Sequence, residues 1–131
     1  MTVIEVVSRQ QVELIDVTAE VRRAIRESGA RSGLAVLFVP HTTAAVTINE
    51  NADPDVVRDL AMELNKIVPF EDNYRHAEGN SAAHLKSSLV GAGETLLVEN
   101  GEPVLGTWQG IYFCEFDGPR RRRLHIKVQA G

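Results

Sequence analysis

The spacing of apolar and polar residues predicts most of the elements of this chain. Thr2 to Val7 and Gln11 to Val17 are rich in Val and Ile and flank a short polar break, which predicts two strands compatible with a hairpin. Thr18 is placed to cap a helix with Glu20 in its first turn, Val21 and Ile25 on one face, and Gly29 as its stop. The unbroken run Leu34-Ala35-Val36-Leu37-Phe38-Val39 reads as a strand buried on both faces and ended by Pro40. Ala45 to Asn49 is a further short strand. Asp53-Pro54 reads as N-cap and first position of the longest helix, because proline has no N–H to lose there. Its apolar stripe is Val56, Val57, Leu60, Leu64 and Ile67, and Pro69 closes it.

Residues 70 to 80 are polar and without period, so they read as a loop, where functional groups tend to sit. A third helix is expected from Asn80 or Ser81, packing Leu85 and Leu89 inward and stopping near Gly91-Ala92-Gly93. Strands dominate the rest: Thr95 to Glu99, an Asn100-Gly101 turn, Pro103 to Leu105, Gly110 to Phe116, an Asp117-Gly118-Pro119 turn, and Arg121 to Val128. Strands bracket the helices, which predicts an α+β fold with a mainly antiparallel, strongly curled sheet and about three helices. Residues 110 to 116 are apolar on both faces, as in a sheet covered on both sides.

At 131 residues the chain fits one domain with its own core. A net charge of −4 argues against broad nucleic-acid binding, though it leaves room for a local basic site. No window approaches the ~20 apolar residues of a membrane span, and no signal peptide is apparent, so a cytoplasmic, non-membrane protein is expected. Cys114 is the only cysteine and reads as a buried, inert thiol.

Candidate chemistry lies with three of the four histidines. His41-Thr42-Thr43 follows a buried strand, His76 is in the central loop, and His84 lies in the first turn of the third helix if Ser81 is the cap. There the helix end disfavours imidazolium and keeps the ring able to bind metal or polarise an oxygen. The competing reading is three unrelated surface histidines. His125 falls on the polar face of the last strand and is left out of the site. Asp53 and Asp55 read as capping groups, while Glu50 precedes the cap and is freer to reach a pocket or a hydrated Mg²⁺. In Arg120 to Arg123 strand alternation lets at most about two side chains meet one ligand. That stretch reads as a solvated edge strand or as a phosphate-contacting pair.

His41-Thr42-Thr43-Ala44-Ala45 with Asn49-Glu50-Asn51-Ala52-Asp53-Pro54-Asp55, Glu78-Gly79-Asn80-Ser81 with His84-Leu85-Lys86, and Val98-Glu99-Asn100-Gly101 together resemble the signature of the YjbQ-like family. The blocks Leu105-Gly106-Thr107-Trp108-Gln109-Gly110-Ile111-Tyr112 and Glu115-Phe116-Asp117-Gly118-Pro119-Arg120-Arg121 complete it. The resemblance implies a compact α+β homotrimer with pockets near subunit contacts. It also implies secondary thiamine-phosphate synthase activity, joining an aminopyrimidine-methyl diphosphate to a thiazole phosphate with release of pyrophosphate. Carried over by position, His41, His76 and His84 would form the pocket and, with Glu50, the catalytic set. Thr42, Asn80, Lys86, Gln109 and Arg121 would bind substrate. Mg²⁺ or Zn²⁺ is a candidate cofactor, with the three histidines as its ligands. Two alternatives stay open: a metal-dependent hydrolase or phosphatase using the histidines, and a non-enzymatic binder of a small phosphorylated metabolite.

Overall fold

The computed structural model describes residues 1–131. Its strands are β1 (Thr2–Val7), β2 (Glu13–Asp16), β3 (Ser32–Phe38), β4 (Ala44–Glu50), β5 (Gly93–Glu99), β6 (Glu102–Pro103), β7 (Gln109–Glu115) and β8 (Arg121–Ala130). The helices are α1 (Thr18–Ser28), α2 (Pro54–Ile67) and α3 (Ser81–Val90). All pairings are antiparallel, in a five-stranded sheet ordered β1-β8-β3-β5-β6 and a three-stranded sheet ordered β2-β7-β4.

The sheets share a core of alternate side chains, with Ala35, Leu37, Leu96, Leu124 and Ile126 on one side and Val46, Ile111 and Phe113 on the other. Helix α1 closes it with Val21 and Ile25, which share a face as expected. On the far side of β7, Cys114 and Phe116 pack with Ala45 and with Ala83 of α3. β7 is therefore covered on both faces, which is why its whole run is apolar. Burial pushes the Cys114 thiol up to about 12, so it is unreactive at neutral pH.

Several expectations need correction. β1 and β2 are not a hairpin: β1 pairs with β8 and β2 with β7, in different sheets. β3 buries only one face, and Leu34, Val36 and Phe38 are exposed on the other. Val17, not Thr18, is the α1 cap; the Thr18 hydroxyl instead donates to Asp16 and accepts from the Ile111 N–H. α3 turns Leu85 and Leu89 outward and buries Ala82, Ala83, Lys86 and Ser87, because small side chains let it approach β4 closely. β8 is no edge strand, since it lies between β1 and β3.

Other sequence signals hold. Asp53 caps α2 by accepting from the Asp55 N–H, with Pro54 at the first position. Gly29 ends α1 at φ 76°. Asn100 and Gly101, at φ 55° and 74°, make the β5–β6 turn, in the left-handed conformation that these two residue types tolerate best. No helix is long and apolar enough to cross a membrane.

Candidate functional site

The polar centre starts from a buried ion pair. Arg122, on the inner face of β8, meets Glu115 at the end of β7, and the two side chains are 3% and 0% exposed. Arg122 also donates to the Thr43 hydroxyl at 2.8 Å and to the Thr43 carbonyl at 3.2 Å. Glu115 accepts from the Ser8 hydroxyl at 2.6 Å and from the Asp117 N–H at 3.0 Å. Burial pushes the Glu115 carboxyl up. The hydrogen bonds from Arg122, Ser8 and Asp117 outweigh that and hold it below the usual carboxylate range. This network ties β1, the His41-Thr42-Thr43 segment, β7 and β8 into one unit.

On that base His41 adopts a defined role. β8 pairs with β3 only as far as Phe38 opposite His125. Beyond it, the His41 ring takes over and its Nε2 accepts the Arg123 backbone N–H at 2.9 Å. An accepting Nε2 carries no proton, so the neutral ring is the Nδ1–H tautomer, with Nδ1 as the donor available to a ligand. Burial, then the nearby Arg122 charge, lowers the His41 pKa and favours that neutral form.

A cavity of about 590 Å³ opens beside it, lined by Val3, Glu5, Pro40, His41, Arg121, Arg122, Arg123 and His125. Arg121, Arg123 and His125 alternate along the outer face of β8, and Arg121 lies 3.3 Å from Glu5 on β1. A second cavity of about 520 Å³ shares Pro40, His41 and Arg122 and adds Phe38, Thr42 and Arg120. Arg120 is held by Asp117 at 3.1 Å, and Asp117 also accepts from the Asn80 amide at 2.9 Å.

The other sequence-derived candidates divide into three pairs and a single lysine. His76 and His84 face each other edge-on with ring centroids 5.5 Å apart, and line a separate cavity of about 390 Å³ with Tyr74, Arg75, Ser81 and Leu85. His84 is not inside the first turn, because Asn80 is the cap and Ser81 the first helical residue. Asn80 and Thr42 sit between the histidine regions: the Ser87 hydroxyl donates to the Thr42 and His84 carbonyls at 2.6 and 3.0 Å. Glu50 and Gln109 pair at the opposite end of β4 and β7, and seven strand residues put that end about 20 Å from Ala44. There Gln109 caps its own loop by accepting the Gly106 N–H at 2.8 Å.

Lys86 is fully buried, donates to Asn65 at 2.6 Å and lies 3.7 Å from the centroid of the Phe70 ring. Burial lowers its pKa to about 8. It pins the α2–α3 loop rather than meeting a phosphate.

Within one chain, then, His41 stands apart from the His76–His84 pair. No three His, Cys, Asp or Glu side chains are placed together as metal ligands. The lone pair on His41 Nε2 is engaged by the Arg123 N–H, so the three histidines of a single chain do not fit a shared metal centre. Sequence reasoning missed Glu5 and His125 as cavity residues, and it placed Arg123 only within the phosphate-contacting pair of Arg120 to Arg123. The alternation of Arg121, Arg123 and His125 was the available signal. The edge-strand reading hid it.

Fold and site together define a two-sheet α+β protein with three helices and a cationic cavity at one end. A family model described as UPF0047 protein YjbQ-like matches residues 2–131, and the chain belongs to that family. It is 56% identical to the UPF0047 protein YugU of Bacillus subtilis over 117 residues, covering 88% of this chain and 89% of the relative. A UPF0047 protein of Methanocaldococcus jannaschii is 51% identical over 124 residues, covering 95% and 90%. Among solved structures, a YjbQ/UPF0047-family protein from Clostridium acetobutylicum superposes with a TM-score of 0.97 at 50% identity, covering 98% of this chain and 100% of that one. A protein of unknown function from Sulfolobus solfataricus gives a TM-score of 0.95 at 31% identity, covering 99% and 96%.

Proposed function

We propose that the chain binds a small phosphorylated metabolite in the His41 cavity and catalyses group transfer with loss of diphosphate, as the resemblance to secondary thiamine-phosphate synthases implies. The observation that carries this reading is a neutral His41, its Nδ1–H free to donate, in one cavity with Arg121 and Arg123. In the reaction the thiazole nitrogen attacks the benzylic carbon as the carbon–oxygen bond to diphosphate breaks. The bonding pair leaves with pyrophosphate. The guanidinium groups and the His41 N–H stabilise the charge that develops on the leaving oxygens. Mg²⁺ accompanies the diphosphate as part of the substrate. In the test, purified protein with both substrates and Mg²⁺ forms thiamine phosphate and pyrophosphate, and His41→Ala lowers the rate with little loss of stability. Undiminished turnover by His41→Ala and Arg123→Ala excludes the site. Saturable binding without turnover leaves a metabolite-binding module.

A second reading, a metal-dependent hydrolase, draws on the His76–His84 pair, with Glu78 3.9 Å from His76. Stoichiometric Zn²⁺ or Mn²⁺ in protein purified without added metal selects it, and metal-free protein with full activity removes it.

The assembly proposed is a cytoplasmic homotrimer. The five-stranded sheet exposes Leu34, Val36, Phe38 and Leu97 on its outer face, where a solvated antiparallel sheet carries polar groups. This apolar patch borders the cationic cavity, so a neighbouring copy seated on it would cover Phe38 beside His41. Light scattering of a Leu34→Glu, Leu97→Glu variant is expected to show dissociation. A monomeric parent protein at micromolar concentration overturns the assembly.

A further inference from the structure

We propose that His125 is a ligand-binding residue of the His41 cavity, taking the distal phosphoryl group of a diphosphate and so selecting diphosphates over monophosphates. This rests on the anion-binding reading above and adds a residue and a selectivity to it. Arg121, Arg123 and His125 stand at alternate positions of β8, opposite Val7, Glu5 and Val3 of β1. Alternate strand residues are separated by about 7 Å, so the ladder is roughly 13 Å long. A single phosphoryl group reaches one such interval, and two linked groups reach further along the row.

The charges along the row are unequal. Arg121 already faces a carboxylate, with Glu5 at 3.3 Å, and that negative charge opposes an anion at the lower end. Arg122 points to the inner face and is paired with Glu115. Arg123 makes no ion pair, and its backbone N–H fixes His41 beside it. Glu5 stands opposite Arg123 in register but is engaged by Arg121 at 3.3 Å, so the first phosphoryl group sits at Arg123 and His41. The next polar group in that direction is His125. Its imidazole is half-buried beside the Phe38 ring, with centroids 6.4 Å apart and planes tilted by 52°, which limits its freedom. Val3 is the sole apolar side chain reaching the cavity from β1, and it leaves that upper end without a competing carboxylate.

Calorimetric titration of the purified, assembled full chain with inorganic pyrophosphate and with inorganic phosphate tests this. Pyrophosphate is expected to bind about tenfold tighter or better, the worth of one hydrogen bond to a charged group. His125→Ala should remove that preference, weakening pyrophosphate about tenfold and phosphate less than about twofold, with an unchanged melting temperature. His125→Gln, which keeps a side-chain N–H donor, should restore part of it. Equal affinities in the parent protein, or equal losses for both anions in His125→Ala, overturn the role of His125 while leaving the anion site standing. Failure of both anions to bind the parent protein overturns the anion site itself, and His125 with it.

Discussion

The two ends of the β4–β7 pair are built from the same strands and differ completely in chemistry. At the His41 end, Ala44 pairs with Glu115 and a buried guanidinium satisfies the carboxylate. At the other end, Glu50 pairs with Gln109, and the Tyr112 hydroxyl donates to the Glu50 backbone carbonyl at 3.0 Å. No cation enters that end. Burial, then the charges of Asp16 and Glu50, raises the Tyr112 pKa and keeps the phenol protonated. The difference shows that a family motif running along one strand need not mark one site. A seven-residue strand separates its ends by more than the reach of any side chain.

The sharpest way to break the contrast is to remove the carboxylate at the His41 end. Glu115→Ala leaves the Arg122 charge buried without a partner and is expected to cost about 3–5 kcal/mol in chemical denaturation. Glu115→Leu with Arg122→Met should recover most of that stability without recovering anion affinity. The Glu115 contribution is present above the unfolded carboxylate range and is lost as pH falls toward the lowered folded value.

Lys86 gives the next largest effect, with the same pH sense but in an alkaline window. Its folded pKa is about 8 against 10.5 unfolded, so the unfolded chain holds the extra proton between those values. Stability relative to Lys86→Met should rise with pH across that window by up to about 3 kcal/mol, read by urea denaturation. A flat difference between the two proteins refutes the buried, desolvated amine.

His41 comes third. Its folded pKa lies below the ordinary 6.5, so its stabilising bond to Arg123 is complete above that pH and weakens as pH falls below it. His41→Ala should lose this acid dependence and about 1 kcal/mol at neutral pH, measured by melting curves at several pH values. The smallest effect belongs to the far end: Glu50→Gln should change pyrophosphate affinity by less than about twofold, because no charge–charge contact joins the ends within a chain. A larger loss in calorimetry would show that a neighbouring subunit brings its Glu50 to the His41 cavity.

Much of the fold was legible in local sequence. Asp53-Pro54, Gly29 and Asn100-Gly101 encode their caps and turn through φ preference and hydrogen bonding to the next few residues. The double-sided apolar run of β7 announced a strand covered on both faces. Failures came where a partner far along the chain decided the outcome. Leu85 and Leu89 look inward-facing by hydrophobicity, yet Ala82, Ala83 and Ser87 are what fit against β4. Lys86 reads as a phosphate ligand from its place in a motif, yet Asn65 and Phe70 enclose it. Arg120 to Arg123 reads as one basic run, yet the sheet sends Arg122 to Glu115 and Arg121, Arg123 and His125 to the cavity.

By itself the sequence determined the α+β class, the α2 cap, the Gly29 stop, the tight turn and the family, since these depend on neighbours a few residues apart or on many motifs taken together. Only the tertiary structure decided which histidine meets which partner. Hydrogen-bond registers between β8, β3 and β1 bring residues more than eighty positions apart within 3 Å, as His41 and Arg123 show at 2.9 Å, and no local pattern encodes that distance.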